Sequence, residues 1–142
     1  MIKFKLKDKM NEVHKEIEML LNIAVDGLGL SQKKCLEVFT NFETALLNHL
    51  TVEEETIFSS VDLGDNDIQQ TIRRLCDEHV TMKKLLAEAK IAMLNEKKVD
   101  IVKFMSLLKS HQAMEDKILY PELDKILSLE EKLRIKKEID NK

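Results

Sequence analysis

Two copies of one histidine and glutamate pattern contain the residues of this chain that are most suited to chemistry. In each copy a single histidine is followed by a histidine and a glutamate that are four residues apart. Residues at this spacing lie one turn apart on one face of a helix, so each pair can point toward one place. Four imidazoles and two carboxylates suit two metal ions that share the carboxylates. The predicted metal ligands are His14, His49, Glu53, His79, His111 and Glu115.

Four long amphipathic helices are predicted to position these ligands, because apolar residues recur at steps of three and four. The predicted helices cover about residues 7–25, from the N-cap Ser31 to about residue 59, from a loop at 61–66 to about residue 95, and from the cap Asp100 onward. Pro121 predicts a kink or a new helix start. Ser128 resembles the first residue of a capping box that opens a short helix at about 129–139, which either packs over one end of the bundle or frays.

The ligands occupy positions along the helices that would otherwise be apolar. The inner stripe of the second helix reads Cys35, Phe39, Phe42, Leu46, His49, Glu53. A histidine and a glutamate occupy the last two positions of this stripe, which is the face that packs against the other helices. A buried carboxylate costs several kcal/mol unless it is paired. Because no lysine or arginine occupies a facing stripe position, we predict that metal cations are the counter-charges.

These patterns predict an all-α fold, an up-down-up-down four-helix bundle over about residues 7–125 with a short C-terminal helix. We interpret the 142 residues as one domain. The net charge of −3, with both signs mixed along the chain, argues against a nucleic-acid partner. No apolar run approaches the roughly 18 residues of a membrane span, and the N-terminus lacks secretory signal character. Cys35 and Cys76 have no CxxC spacing, so we expect buried thiols in a reducing cytoplasm.

Several roles stay open at the level of sequence. Asp116 either faces solvent or replaces Glu115 as a ligand, and Glu54 and Glu55 are expected to face solvent. Phe58 and Tyr120 either pack at helix ends, or Tyr120 places its hydroxyl near the site. Iron is the preferred metal, because the donors are mixed nitrogen and oxygen, the set leaves a position open, and no cysteine accompanies the histidines; zinc and manganese are competitors.

The two HxxxE pairs, the single histidines and the Tyr120-Pro121 that follows the second pair resemble the hemerythrin-like family, in its HHE cation-binding branch. The resemblance covers about residues 7–125. It implies that the four histidines are imidazole ligands and that Glu53 and Glu115 bridge an oxo- or hydroxo-bridged di-iron centre. Oxygen-carrying hemerythrins have a fifth histidine on the third helix, where this chain has Leu75 or Lys83. The four-histidine set is similar to that of HHE proteins linked to nitric oxide, iron–sulfur repair or iron and oxygen sensing.

Three classes of function are compatible with these residues. The first, which we favour, is a di-iron module that binds O2 or NO for carriage, scavenging or sensing. The second is a di-iron redox enzyme or repair factor, such as a peroxidase, an NO reductase or an iron donor for iron–sulfur repair. The third is a helical interaction module without metal, or one stiffened by zinc. The expected partners are O2, NO or peroxide, and the sequence does not identify a protein partner.

Overall fold

The helices of the chain account for nearly all of the residues that the structure, a computed structural model, describes, namely 4–60 and 66–141. They are α1 Leu6–Asp26, α2 Gln32–Val52, α3 Asn66–Leu94, α4 Val102–Met114, α5 Tyr120–Ile126 and α6 Leu129–Asp140. The described residues contain no β-strand, so the all-α prediction is confirmed. The loop predicted at 61–66 lies outside the described residues, except for Asn66 at the start of α3. In the described part of the chain, no helix has both the length and the apolar character of a membrane span.

Short connections make consecutive helices antiparallel neighbours around a closed bundle. α1 packs against α2, α2 against α3, and α3 against α4, while α5 returns to α1. The carboxylate of Asp124 in α5 helps to close this ring. Its Oδ1 accepts from the backbone N–H of Leu6 at 2.7 Å, and its Oδ2 from that of Lys7 at 3.0 Å. The first turn of α1, whose N–H groups have no partner within the helix, is thereby capped from the far end of the chain.

Two π-helical turns interrupt the second and fourth bundle helices, and the sequence patterns did not predict them. One spans Glu53–Ile57 after α2 and leads into a 3-10 turn at Phe58–Ser60, and the other spans Glu115–Leu119 between α4 and α5. In each, the backbone N–H five residues on donates to the carbonyl of the glutamate. Isolated π turns are rare and often lie at functional sites. Both of these begin at the glutamate of an HxxxE pair.

The apolar core divides into two clusters, one toward each end of the bundle. The first contains fifteen buried residues centred on Phe39, Phe42, Leu46 and Phe104, and the second contains eleven centred on Leu6, Leu75, Tyr120 and Leu123. Between them lies a layer of buried polar side chains. On α1, for example, His14 lies between Met10 of the second cluster and Ile17 of the first. On each of the other three bundle helices, the predicted ligands likewise lie between residues of the two clusters. The predicted ligands therefore form one layer across the bundle.

The predicted helix ends agree with the structure. The Ser31 hydroxyl accepts from the backbone N–H of Lys34 at 3.4 Å, and Ser128 forms the predicted capping box with Glu131. Asp100 lies one residue before the N-cap of α4, and its carboxylate accepts from the N–H of Val102 at 3.1 Å. Pro121 is in the first turn of α5, which confirms a new helix start there.

Helix α6 packs over one end of the bundle, so the alternative of a frayed C-terminus is wrong for the described residues. Ile135 is fully buried in the second cluster. At the end of the helix, Asp140 pairs with Lys9 of α1 at 2.8 Å and with Lys136 at 2.7 Å. The burial of Ile135 and the pair between Lys9 and Asp140 hold α6 against the bundle next to the polar layer, whereas the pair with Lys136 lies within α6.

Gly27 allows α2 to approach the turn after α1, and this gives a test of the packing. A Cβ atom on Gly27 would lie 2.5 Å from Cγ2 of Val38, whereas one on Gly29 would meet nothing within 4 Å. Because the β-branched Val38 has little rotamer freedom, we predict that Gly27→Ala lowers the free energy of unfolding by about 1–3 kcal/mol. Urea unfolding measures the change. Gly29→Ala is the matched control, and an equal loss in both variants would contradict the predicted clash.

Candidate metal centre

All six predicted ligands converge in the polar layer. Their exposed fractions lie between 0% and 7%, with His49 the most accessible. Their donor atoms form two overlapping groups in which every atom lies within 4.8 Å of the others. We call these groups position 1 and position 2. Position 1 consists of His14, His49, Glu53 and Glu115, and position 2 of Glu53, His79, His111 and Glu115. Each position has two histidines of its own, and the two glutamates belong to both.

The donor atoms approach one another as closely as ligands of a shared centre would. At position 1, His14 Nε2 lies 3.2 Å from Glu115 Oε1, and His49 Nε2 lies 3.6 Å from Glu53 Oε1. At position 2, His79 Nε2 lies 3.2 Å from that same Glu53 oxygen, and His111 Nε2 lies 3.3 Å from Glu115 Oε2. The Nε2 atoms of His79 and His111 are 3.1 Å apart. All four imidazoles therefore present Nε2 to the interior of the bundle.

Most of the inward-facing atoms have no hydrogen-bond partner among the described residues. They are His14 Nε2, His49 Nε2, Glu53 Oε1 and both carboxylate oxygens of Glu115. Buried polar atoms are almost always hydrogen-bonded, because an unpaired one loses its solvation without compensation. Atoms of this kind that converge on two points, and that are imidazole nitrogens and carboxylate oxygens, fit divalent or trivalent cations.

Three carboxylates hold the outer nitrogens of three of the histidines. The Nδ1–H groups donate to Asp116 from His14 at 3.1 Å, to Glu54 from His79 at 2.9 Å and to Glu78 from His111 at 2.9 Å. Such contacts orient metal-binding imidazoles and make them more basic. Among the described residues, no carboxylate lies within 4.0 Å of the outer nitrogen of His49. The one carboxylate that His49 contacts is that of Glu53, and this contact is made by its inner nitrogen, Nε2.

These outer carboxylates were only partly anticipated. The sequence predicts Asp116 as a solvated residue or an alternative ligand, whereas the structure places it against the outer nitrogen of His14. Glu54 was expected to face solvent, and Glu78 was not singled out. Each of the three is adjacent in sequence to a predicted ligand. This adjacency is a usable signal, because one residue of helix rotates the side chain by about 100° toward the neighbouring helix.

The electrostatics of the layer favour protonated His14 and His111, but a neutral His49, when no cation is present. Burial opposes the charge on His14, but the adjacent carboxylates of Asp116 and Glu115 outweigh it and raise the pKa to about 9. Burial likewise opposes the charge on His111, and Glu115 and Glu53 raise its pKa to about 10. For His49 burial dominates and lowers the pKa to about 4. Metal binding would therefore have to displace protons from His14 and His111.

The two glutamates are in different electrostatic states although they face the same cavity. Burial, followed by the negative charge of Glu53, raises the pKa of Glu115 to about 7. Burial also acts to raise the pKa of Glu53, but His49 and hydrogen-bonding neighbours hold it well below its usual value. Two adjacent carboxylates cannot easily both ionise in a buried site, and a cation would remove this conflict.

Two aromatic residues in equivalent places flank the histidines. Phe58 and Tyr120 each follow a ligand glutamate by five residues and end a π turn. Phe58 stacks on His79 with ring centroids 5.9 Å apart, and Tyr120 lies against His14 at 6.0 Å. The Tyr120 hydroxyl donates a hydrogen bond to Glu53 Oε2. Burial raises the pKa of Tyr120 well above its usual value, so the phenol keeps its proton.

A groove between α1 and α2 reaches His49 from the surface. It encloses about 580 Å³. The lining includes the apolar residues Val13, Ile17, Leu20, Ala45, Val52 and Ile139. Asp140, at the end of α6, closes one side, and His49 is the one predicted ligand among the lining residues. The groove gives a small molecule a route to position 1.

The raised histidine pKa values predict how the stability of the metal-free chain depends on pH. The folded chain keeps protons on His14 and His111 up to about 9 and about 10, whereas the unfolded chain releases them near 6.5. We therefore expect the free energy of unfolding to fall as pH rises from 6.5 toward 9. Urea unfolding of chelator-treated protein measures this. His14→Gln should flatten the dependence, and a stability that rises over this range would contradict the assignment.

Comparison with known proteins agrees with this geometry. A family model described as the hemerythrin HHE cation binding domain matches residues 6–123, which include all six converging ligands and end within α5. Neither the comparison with curated proteins nor that with solved structures found a match. The match covers far more than half of the chain, and α6 lies beyond its end. The chain therefore belongs to the hemerythrin HHE cation-binding family.

Proposed function

We propose that this chain is a non-haem di-iron protein that binds a small diatomic ligand, O2 or NO, beside position 1. The observation that carries the proposal is the convergence of buried, unpaired Nε2 and carboxylate oxygen atoms on two points. Membership of a cation-binding family supports metal binding there. Ligand capture would serve carriage, scavenging or sensing of the gas.

The donor set favours iron over the competing metals. In the described residues neither group includes a thiolate, and the two share their carboxylates. Closed structural zinc sites usually have four ligands of their own and often use cysteine. Mixed nitrogen and oxygen ligands with open positions suit iron, and manganese and zinc remain alternatives. Bound iron would supply an open coordination position and the electrons for holding a diatomic ligand.

The protein's own residues would hold and shield such a centre. Asp116, Glu54 and Glu78 fix three imidazole rings with Nε2 inward. The apolar clusters above and below the layer exclude water from both faces. The groove at His49 leaves one approach open, on the side where the imidazole has no outer carboxylate. This combination supports a rigid centre that is accessible at position 1.

Metal content and gas-dependent spectra test the proposal directly. We expect freshly purified protein to contain about two irons per chain, one for each position, with an optical spectrum that differs under argon, O2 and NO. Glu53→Ala and His111→Ala should lose metal and melt at lower temperature, because metal binding stabilises the folded state. Glu55→Ala, an exposed neighbour, is the matched control. A chain that takes up no iron even after anaerobic reconstitution would overturn the proposal.

A di-iron redox enzyme or an iron-centre repair factor is the second candidate. The observation in its favour is the Tyr120 hydroxyl, a polar group next to the ligand carboxylate of Glu53. The groove, at about 580 Å³, is also larger than a diatomic ligand requires. Steady-state consumption of peroxide or NO, or transfer of iron to an apo iron–sulfur protein, would favour this candidate. A reversible spectral response without turnover would favour ligand binding.

The groove gives a separate prediction about ligand access. Ala45 lines it beside His49 without belonging to either ligand group. We predict that Ala45→Phe slows NO association in stopped-flow measurements by about tenfold, because the larger side chain narrows the route. The iron content should not change. Ala87→Phe, at an exposed position of α3, is the matched control. Equal association rates in both variants would contradict entry through this groove.

A further inference from the structure

The two oxygens of Glu53 are in different surroundings. Among the described residues Oε1 has no hydrogen-bond partner, and it lies 3.2 Å from His79 Nε2 and 3.6 Å from His49 Nε2. Oε2 instead accepts the hydrogen bond from the Tyr120 hydroxyl. One oxygen of this carboxylate is therefore available to a cation as the protein stands, and the other is already engaged.

Glu115 offers both of its oxygens. Neither has a hydrogen-bond partner among the described residues. Oε1 lies 3.2 Å from His14 Nε2, and Oε2 lies 3.3 Å from His111 Nε2. One oxygen therefore faces a histidine of position 1 and the other faces a histidine of position 2. Glu115 can serve the two positions equally, whereas Glu53 cannot.

A single hydroxyl produces this difference. Phe58 and Tyr120 are equivalent in the two halves of the bundle, since each ends a π turn and lies against a ligand histidine on another helix. A phenylalanine ring carries no donor for a carboxylate, whereas the tyrosine ring does. Between these two equivalent residues the halves of the bundle therefore differ by one hydroxyl group, and that hydroxyl engages Glu53.

The free oxygen of Glu53 lies nearer to the histidines of position 2, since Oε1 is 3.2 Å from His79 Nε2 and 3.9 Å from His111 Nε2, whereas its contact at position 1, with His49 Nε2, is at 3.6 Å. The Tyr120 ring lies beside His14, a ligand of position 1, with centroids 6.0 Å apart. A cation at position 2 can bind Glu53 without disturbing Tyr120. A cation at position 1 must compete with the phenol for Oε2 or share Oε1.

We infer that Tyr120 is a positioning residue that makes the two cation positions unequal. By holding Oε2 of Glu53, its hydroxyl weakens cation binding at position 1. That position then has one protein ligand fewer, which leaves a coordination place for an external ligand. In the part of the chain that the structure describes, His49 also has no outer carboxylate, and this acts in the same direction. The inference rests on the proposed function, because it requires that cations bind these two groups.

Cobalt(II) titration of the full chain, stripped of metal and kept anaerobic, tests this inference. Cobalt(II) does not require oxygen chemistry, and its visible spectrum reports the number of ligands. We expect the wild-type chain to bind two ions in separate steps. Tyr120→Phe removes the hydroxyl and keeps the ring, so the second step should tighten by about tenfold with an altered spectrum. Ile57→Val, in the same apolar cluster, changes packing alone and should leave both steps unchanged.

Thermal melting separates this role from a merely structural one. Without metal, Tyr120→Phe leaves Oε2 of Glu53 unpaired and should lower the melting temperature. With cobalt bound at both positions, the cation takes over that oxygen, so the loss should be clearly smaller. An equal loss in the two states would mean that the hydroxyl only stabilises the fold, and it would overturn the inference.

The outcomes distinguish this inference from the proposed function. A wild-type chain that binds no cobalt and no iron would overturn the proposed function itself. Two ions that bind in indistinguishable steps to the wild-type chain would overturn the inference alone, without any variant. The same would follow if Tyr120→Phe bound both ions with the wild-type separation between steps.

Discussion

The burial of ionisable side chains in the middle of the bundle is the constraint on which the rest of this structure depends. The six predicted ligand side chains form a layer between two apolar clusters. The apolar clusters on both faces leave most of this layer with little access to water. The helices therefore have to bring opposite charges, protons or cations to it. The raised pKa values of His14 and His111 are the response of the metal-free protein to this requirement.

The surrounding architecture keeps that layer ordered. Outer carboxylates hold three imidazoles so that their Nε2 atoms face inward. The π turns begin at Glu53 and Glu115, and each places an aromatic ring at its end against a histidine of another helix. The two halves of the bundle therefore hold their inward-facing side chains with the same kinds of turn and ring contact. The differences between the halves, the Tyr120 hydroxyl and the groove at His49, both concern position 1.

Much of the fold could be predicted from the sequence, because helical periodicity and capping are local properties. The steps of three and four placed the four bundle helices, and Ser31, Ser128 and Pro121 marked helix ends that the structure confirms. The π turns could not be predicted, since one extra residue in a turn hardly changes an apolar pattern. The packing of α6 depends on where Ile135 and Asp140 find partners in distant helices.

The sequence by itself determined the family, the all-α bundle and the six residues that would meet, because ligand types at helical spacing specify which faces turn inward. Only the tertiary structure decided what surrounds each ligand atom. It placed Asp116 on the outer nitrogen of His14, engaged one oxygen of Glu53 with Tyr120, and opened the groove at His49. These features depend on the rotation of one helix relative to another, and contacts between residues far apart in the chain set that rotation.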